Sequence, residues 1–254
     1  MSPRATTPVP ALEIAVTAPA GAVVARDGGA DRVELCSALE LGGITPSQGL
    51  VEAAVEVGIP VHALVRCRPG GFVHDRDDVD LMDREVRTVL RSGAAGVVVG
   101  ALRPDGTLDA DVLRRFVATA RSVDATAEVT LHRAVDHAVD PVAAAASLAD
   151  LGITRVLTSG GAPIAGSGAT TIARMVAAAG PVQVMAGGGV TPADVRTLLA
   201  TGAAAVHLSA KRTAGDAHGG VPMGAGDDGS AHFVTDAEVV AAARAAVDAA
   251  RRSA

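Results

Sequence analysis

The chain has 254 residues, a formal net charge of -6 and a sequence pI of about 5.6; 49 % of its residues are hydrophobic but only 1 % are aromatic, with three Phe and neither Trp nor Tyr. The acidic balance and the shortage of rings for base stacking argue against nucleic-acid binding, and no apolar run approaches the roughly 20 residues needed to span a bilayer. Two cysteines make no disulfide framework, which points to a reducing cytoplasm.

The first ten residues, MSPRATTPVP, lack the apolar segment of a signal peptide and read as a flexible leader before one domain over residues 11–254. Short β-branched runs then alternate with Ala/Leu/Arg/Asp segments of helical period. The first strand is expected at 12–16 (LEIAV), with a helix over 18–27. The second strand is 32–35 (RVEL), before a helix starting near Pro46. The third is 61–66 (VHALVR), followed by a loop and a helix over 79–92. The fourth is 96–99 (GVVV), with a helix over 110–122. The fifth is 128–132 (EVTLH), with a helix over 141–151. The sixth is 155–158 (RVLT), with a helix over 169–179. The seventh is 182–186 (VQVMA), with a helix over 192–201. The eighth is 205–208 (AVHL), and a last helix covers 236–252.

Thr45-Pro46, Asp140-Pro141 and Thr191-Pro192 each place a capping side chain before a proline suited to a first helical position. Gly28, Gly58, Gly93, Gly152, Gly180 and Gly202 follow helix ends, where a left-handed residue is wanted. Eight strand–helix units with right-handed crossovers close into a (β/α)8 TIM barrel, a single α/β domain. Two connections are long: 67–78, and a Gly-rich stretch over 211–235 expected to be one mobile loop.

In such a barrel, chemistry collects at the carboxyl ends of the strands. Glu13 and Glu34 lie within apolar strands, where a carboxylate is costly unless paired or protonated. Arg66 and Arg68, at the end of the third strand, are the expected partners. His132 ends the fifth strand, followed by Arg133 and Asp136, and the His132–Asp136 spacing suggests an imidazole beside a carboxylate. Glu13, Glu34, His132 and Asp136 are thus the acid/base candidates. Ser159 and Gly160 after the sixth strand, Gly187, Gly188 and Gly189 after the seventh, and Ser209 and Lys211 after the eighth offer donors for an anion, with Arg66, Arg68 and Arg133. Cys36 and Cys67 directly follow neighbouring strands, so their thiolates are expected to approach and hold Cu(I).

Five segments carry a family resemblance: ADRVELCSALELGGITPS (30–47), HRAVD (132–136), RVLTSGG (155–161), MAGGGV (185–190) and VHLSAKR (206–212). With these the chain resembles the CutC family, named for copper homeostasis, from Leu12 to the last helix. The resemblance implies a TIM barrel, a cytoplasmic location, a homodimer, a Cu(I) role, and a shared cavity holding Glu13, Glu34, Arg66, His132 and Asp136. The segment RCRPGGF (66–72) departs from the family's R-P-R-G-G-D-F followed by Cys: Cys67 takes the Pro position and Val73 the Cys position, so only Cys36 is a family cysteine. Two functions are expected from these residues. One is copper homeostasis through Cu(I) binding. The other is isomerase- or lyase-type proton transfer on a small anionic, sugar-like or phosphorylated metabolite.

Overall fold

The computed structural model describes residues 9–215 and 231–252. Most of the expected leader, residues 1–8, lies outside them.

Eight parallel strands close into one barrel in chain order: β1 (Ala11–Val16), β2 (Arg32–Leu35), β3 (Val61–Leu64), β4 (Gly96–Val99), β5 (Glu128–Leu131), β6 (Arg155–Thr158), β7 (Gln183–Gly187) and β8 (Ala205–Leu208), with β8 pairing back onto β1. The helices α1 (Pro19–Asp27), α2 (Gln48–Val55), α3 (Arg76–Arg91), α4 (Ala110–Val123), α5 (Pro141–Ser147), α6 (Ala169–Ala178), α7 (Val195–Leu199) and α8 (Ala237–Arg252) alternate with them. This is the (β/α)8 architecture. Among the described residues no helix is long and apolar enough to cross a membrane.

Alternation along each strand builds the molecule in two layers. Leu12, Ile14 and Val16 of β1, Val33 and Leu35 of β2, and Val97 and Val99 of β4 turn outward into one apolar core shared with the helices. The residues between them face the barrel axis. There the apolar contribution shrinks to two small clusters, Cys36 with Leu64 and Val98, and Leu157 with Met185 and Ala205. Among the described residues, Glu13, Arg32, Glu34, His62, Thr130 and Arg155 make much of the rest of the axis polar.

Several local expectations need correction. The Ser47 hydroxyl, not Thr45, caps α2 by accepting from Leu50 N. Thr45 instead ties two elements together, donating to Glu85 and accepting from Arg66 N. Thr191 does not cap α7; its N–H and hydroxyl donate to Asp194. Asp140 caps α5 as expected, ahead of Pro141. After α1 the left-handed residue is Gly29 rather than Gly28, while Gly58, Gly93, Gly152, Gly180 and Gly202 all have positive φ. The long stretch after β8 is not wholly loop. Its ends pair as an antiparallel ribbon, β9 (Lys211–Gly215) with β10 (Ala231–Thr235), and residues 216–230 lie outside the description.

Candidate functional site

Register sets the site. Glu13, the third residue of β1, pairs with Arg32 at the start of β2 and with His207 in the middle of β8. All three side chains converge on the axis. Arg32 Nε donates to Glu13 Oε2, and the Glu13 Oε1 to His207 Nδ1 distance is 2.8 Å. Burial alone would raise the Glu13 carboxyl, but the Arg32 guanidinium and the His207 hydrogen bond hold it far below the usual carboxylate range. His207 moves up: burial opposes its charge, and the Glu13 hydrogen bond and the nearby Glu34 more than offset that. Closer to the amino ends of the strands, Arg155 donates to Glu128, Thr130 and Gln183, while His62 Nε2 lies 3.4 Å from Glu128. Burial presses His62 down to about 4, so it stays neutral. The partners expected for Glu13, Arg66 and Arg68, are elsewhere.

Glu34, two residues above Arg32 on β2, has no such cation. Among the described residues its Oε2 is buried without a hydrogen-bond partner, 3.7 Å from His207 Nδ1. Burial pushes its carboxyl up to about 7; the attraction of His207 and the repulsion of Glu13 pull in opposite directions. Two residues further, just past β2, Cys36 faces the same interior, its thiol pushed up by burial and by the Glu34 and Glu40 carboxylates.

The carboxyl end of the barrel carries Arg66 and His132. Arg66 is only 7 % exposed, yet its guanidinium donates to carbonyls alone, those of Leu41, Gly43 and Gly70, and its Nε has no partner. Among the described residues it has no carboxylate counter-ion. His132 does not pair with Asp136. Its Nδ1 accepts from Ala134 N, so in the neutral ring Nε2 carries the proton, and that atom is buried without a partner. Burial, with Arg66 and His74 nearby, drops His132 to about 3. Phe72 packs against it at 4.9 Å and also lies under Arg66. Asp136 is occupied instead: it accepts from Arg133 Nε, Thr158 Oγ1, Gly161 N, and the N–H and hydroxyl of Ser159. It fastens the loop after β6.

A family model described as the CutC family matches residues 10–212. The chain belongs to the CutC family. It is 42 % identical over 232 residues to a family protein CutC of Xylella fastidiosa, covering 90 % of this chain and 85 % of that one. A family protein CutC of Sinorhizobium medicae is 44 % identical over 189 residues, 74 % of this chain and 76 % of the relative. The fold matches the crystal structure of a protein described as a candidate copper homeostasis protein CutC from Streptococcus agalactiae, with TM-score 0.71, 25 % identity, and coverage of 78 % of this chain and 98 % of that one.

In this CutC-family chain the two cysteines do not converge as expected. Cys36 faces the barrel axis, whereas Cys67 packs against the outer core and its thiol lies 3.4 Å from Asp78 Oδ1. Two residue groups do bring metal-type donor atoms within 4.8 Å of one another: Cys67, His74 and Asp78, and Glu13, Glu34 and His207. Arg68 joins the first group through an ion pair with Asp78 at 2.8 Å. The glycine run serves close packing. A side chain at Gly187 would collide with Leu157 and His207, and one at Gly188 with the Arg133 guanidinium, which itself donates to Ser159. Gly160 has a positive φ and lies against the Gly168 backbone. Ser209 is half-buried just beyond β8, and Lys211 sits 3.9 Å over the Phe233 ring of the ribbon. The ribbon, the start of α1 and the turn at Leu39–Leu41 enclose a groove of 1120 Å³.

Sequence reasoning missed Arg32, His62, Glu128 and Arg155. The signal was there as period two: Arg32/Glu34/Cys36 and Glu128/Thr130/His132 put polar residues on the side opposite the aliphatic ones, and His62 and Arg66 flank Leu64 on one side of β3.

Proposed function

We propose that this chain is an acid–base enzyme that moves a proton on a small anionic, sugar-like or phosphorylated metabolite held at the barrel mouth. The observation that carries this reading is the Glu34 carboxyl, buried 3.7 Å from His207 with one oxygen lacking a hydrogen-bond partner among the described residues. A carboxyl pushed up to about 7 both gives and takes a proton near neutral pH. His207 and the ionised Glu13 beneath it set the charge that Glu34 feels. Arg66, a buried cation with no carboxylate partner among the described residues, supports the anionic nature of the ligand, and His132 offers a neutral Nε2–H donor on the same end. Arg133, Ser159, Gly160, Ser209 and Lys211 are further ligand contacts in this reading; Asp136 acts by positioning the Ser159 loop.

The test is carbon-bound hydrogen exchange. A panel of sugar phosphates is incubated with the protein in heavy water and followed by NMR. At least one member is expected to lose a carbon-bound proton, with Glu34→Gln slowing the loss by roughly 10²–10⁴-fold. Equal exchange in wild type and variant would sink the reading.

A second reading, Cu(I) handling in copper homeostasis, rests on the description of the Streptococcus agalactiae relative and on Cys36 facing the cavity. The residues do not fit a two-thiolate site of Cys36 with Cys67, so Cys36 would have to act with other donors. Cys36→Ser is expected to abolish Cu(I) binding under this reading and to leave proton exchange intact under the first. A cytoplasmic homodimer belongs to the same proposal.

A further inference from the structure

We propose that Cys67, His74 and Asp78 form a binding site for a divalent metal ion of the zinc type on the connection between β3 and α3. Cys67 follows β3, His74 sits on the loop, and Asp78 lies in the first turn of α3, so one short connection supplies all three donors.

Hydrogen bonding leaves the His74 ring of this cluster weakly held. The His74 side chain is 1 % exposed, yet its Nδ1 is 3.5 Å from Asp78 Oδ2, the outer limit of a hydrogen bond, and its Nε2 is buried with no partner. The ring nitrogen that faces Asp78 is therefore only weakly held, and a metal ion between Nδ1 and the carboxylate would be a stronger partner for it. The spacings suit it. Tetrahedral angles at ordinary zinc bond lengths place a nitrogen and an oxygen ligand about 3.4 Å apart and a sulfur and an oxygen ligand about 3.5 Å apart. Here His74 Nδ1 lies 3.5 Å from Asp78 Oδ2 and Cys67 Sγ 3.4 Å from Asp78 Oδ1, so the two donors face the two oxygens of one carboxylate. A thiolate and a carboxylate together balance a divalent charge, and the mixed sulfur, nitrogen and oxygen set suits zinc and its neighbours rather than magnesium or calcium. Three protein ligands leave a fourth position for water or an added ligand.

Arg68 fits as an outer-shell residue. Its Nε and Nη2 both lie 2.8 Å from Asp78 Oδ2, leaving Oδ1 turned to Cys67, and it also donates to the carbonyls of Gly71 and Val73, shaping the loop that carries His74. Hydrogen-bonded carboxylates of this kind are typical metal ligands.

The full-length, chelator-treated protein is titrated with Co2+. A thiolate-to-cobalt charge-transfer band is expected in the near ultraviolet, where a chain without Trp or Tyr absorbs little, and Zn2+ should bleach it. Cys67→Ser is expected to abolish the band, and His74→Ala to weaken Co2+ binding by more than the roughly 10–100-fold that loss of an outer-shell partner costs. Cys36→Ser, checked for folding by circular dichroism, should retain the band. Absence of a band, its survival in Cys67→Ser, its loss in folded Cys36→Ser, or unchanged affinity in His74→Ala would each overturn the proposal. The His74→Ala result stands even if a cysteine variant fails to fold.

Discussion

Glu13 and His207, 194 residues apart in the chain, meet at 2.8 Å where the first barrel strand closes against the last. The seam that completes the barrel is therefore also the place where its polar axis is assembled. With Arg32 on the other side of Glu13, the carboxylate is matched from both neighbouring strands. Glu34 above them is the group left unmatched.

Removing one partner of a buried ion pair leaves the other charge uncompensated. Arg32→Met is therefore expected to destabilise the fold by about 3–5 kcal/mol. Adding Glu13→Gln should restore much of that loss, because the double variant no longer buries an isolated charge. Urea unfolding followed by circular dichroism measures both, since the chain has no Trp or Tyr for fluorescence. A double variant no more stable than Arg32→Met would mean that Glu13 contributes through packing or hydrogen bonding and not through its charge.

Gly100, just past β4, lies against the His132 ring; a methyl group there would overlap the ring carbon Cε1 and both ring nitrogens. The ring is held by the Ala134 N–H on one side and Phe72 on another, so it has little room to yield. Gly100→Ala is expected to cost about 1–3 kcal/mol and to shift the His132 ring resonances in NMR spectra. Unchanged resonances and an unchanged melting temperature would place the ring elsewhere.

The barrel was legible because its strands are short aliphatic runs between helices with clear ends, such as Asp140-Pro141 at the start of α5. The axis was less legible. A period-two pattern says that Arg32 and Glu34 share a face, but only register says that Arg32 reaches Glu13 while Glu34 does not meet Arg66. Cys36 and Cys67 show the same limit: each follows a strand, yet Cys67 is one residue out of phase with the inward-facing Arg66 and so falls on the helix side. His132 and Asp136 failed as a pair because the short 3-10 turn at Arg133–His137 carries Asp136 to the end of β6, where four donor groups meet it.

That gathering makes Asp136 a structural test. Its carboxylate accepts from Arg133, Thr158, Ser159 and Gly161 together, and an amide in its place would turn an N–H2 group toward donors. Asp136→Asn is expected to lower the melting temperature by roughly 5–10 °C, the equivalent of a few kcal/mol in a chain of this size. It should also loosen the 159–161 loop, seen as faster amide hydrogen exchange at Gly161. Normal protection of Gly161 in the variant would show that the loop is held by other contacts.

Glu34 and His132 tie stability to pH in opposite ways. The Glu34 pKa rises from 4.5 to about 7 on folding, so the folded chain holds this proton more tightly than the unfolded one; the stabilisation is complete below 4.5 and is lost as pH climbs through 7. The His132 pKa falls from 6.5 to about 3, so its contribution is present above 6.5 and is lost as pH falls toward 3. Glu34→Gln keeps the shape of the protonated acid and removes only the first effect. The variant's stability relative to wild type is expected to improve by on the order of 3 kcal/mol between about pH 4 and about pH 8, with the acid-side loss from His132 unchanged. Urea titrations at both values measure the difference. A gap that stays constant across that range would mean that Glu34 ionises like an exposed carboxylate, and the proton-transfer role built on it would fall with it.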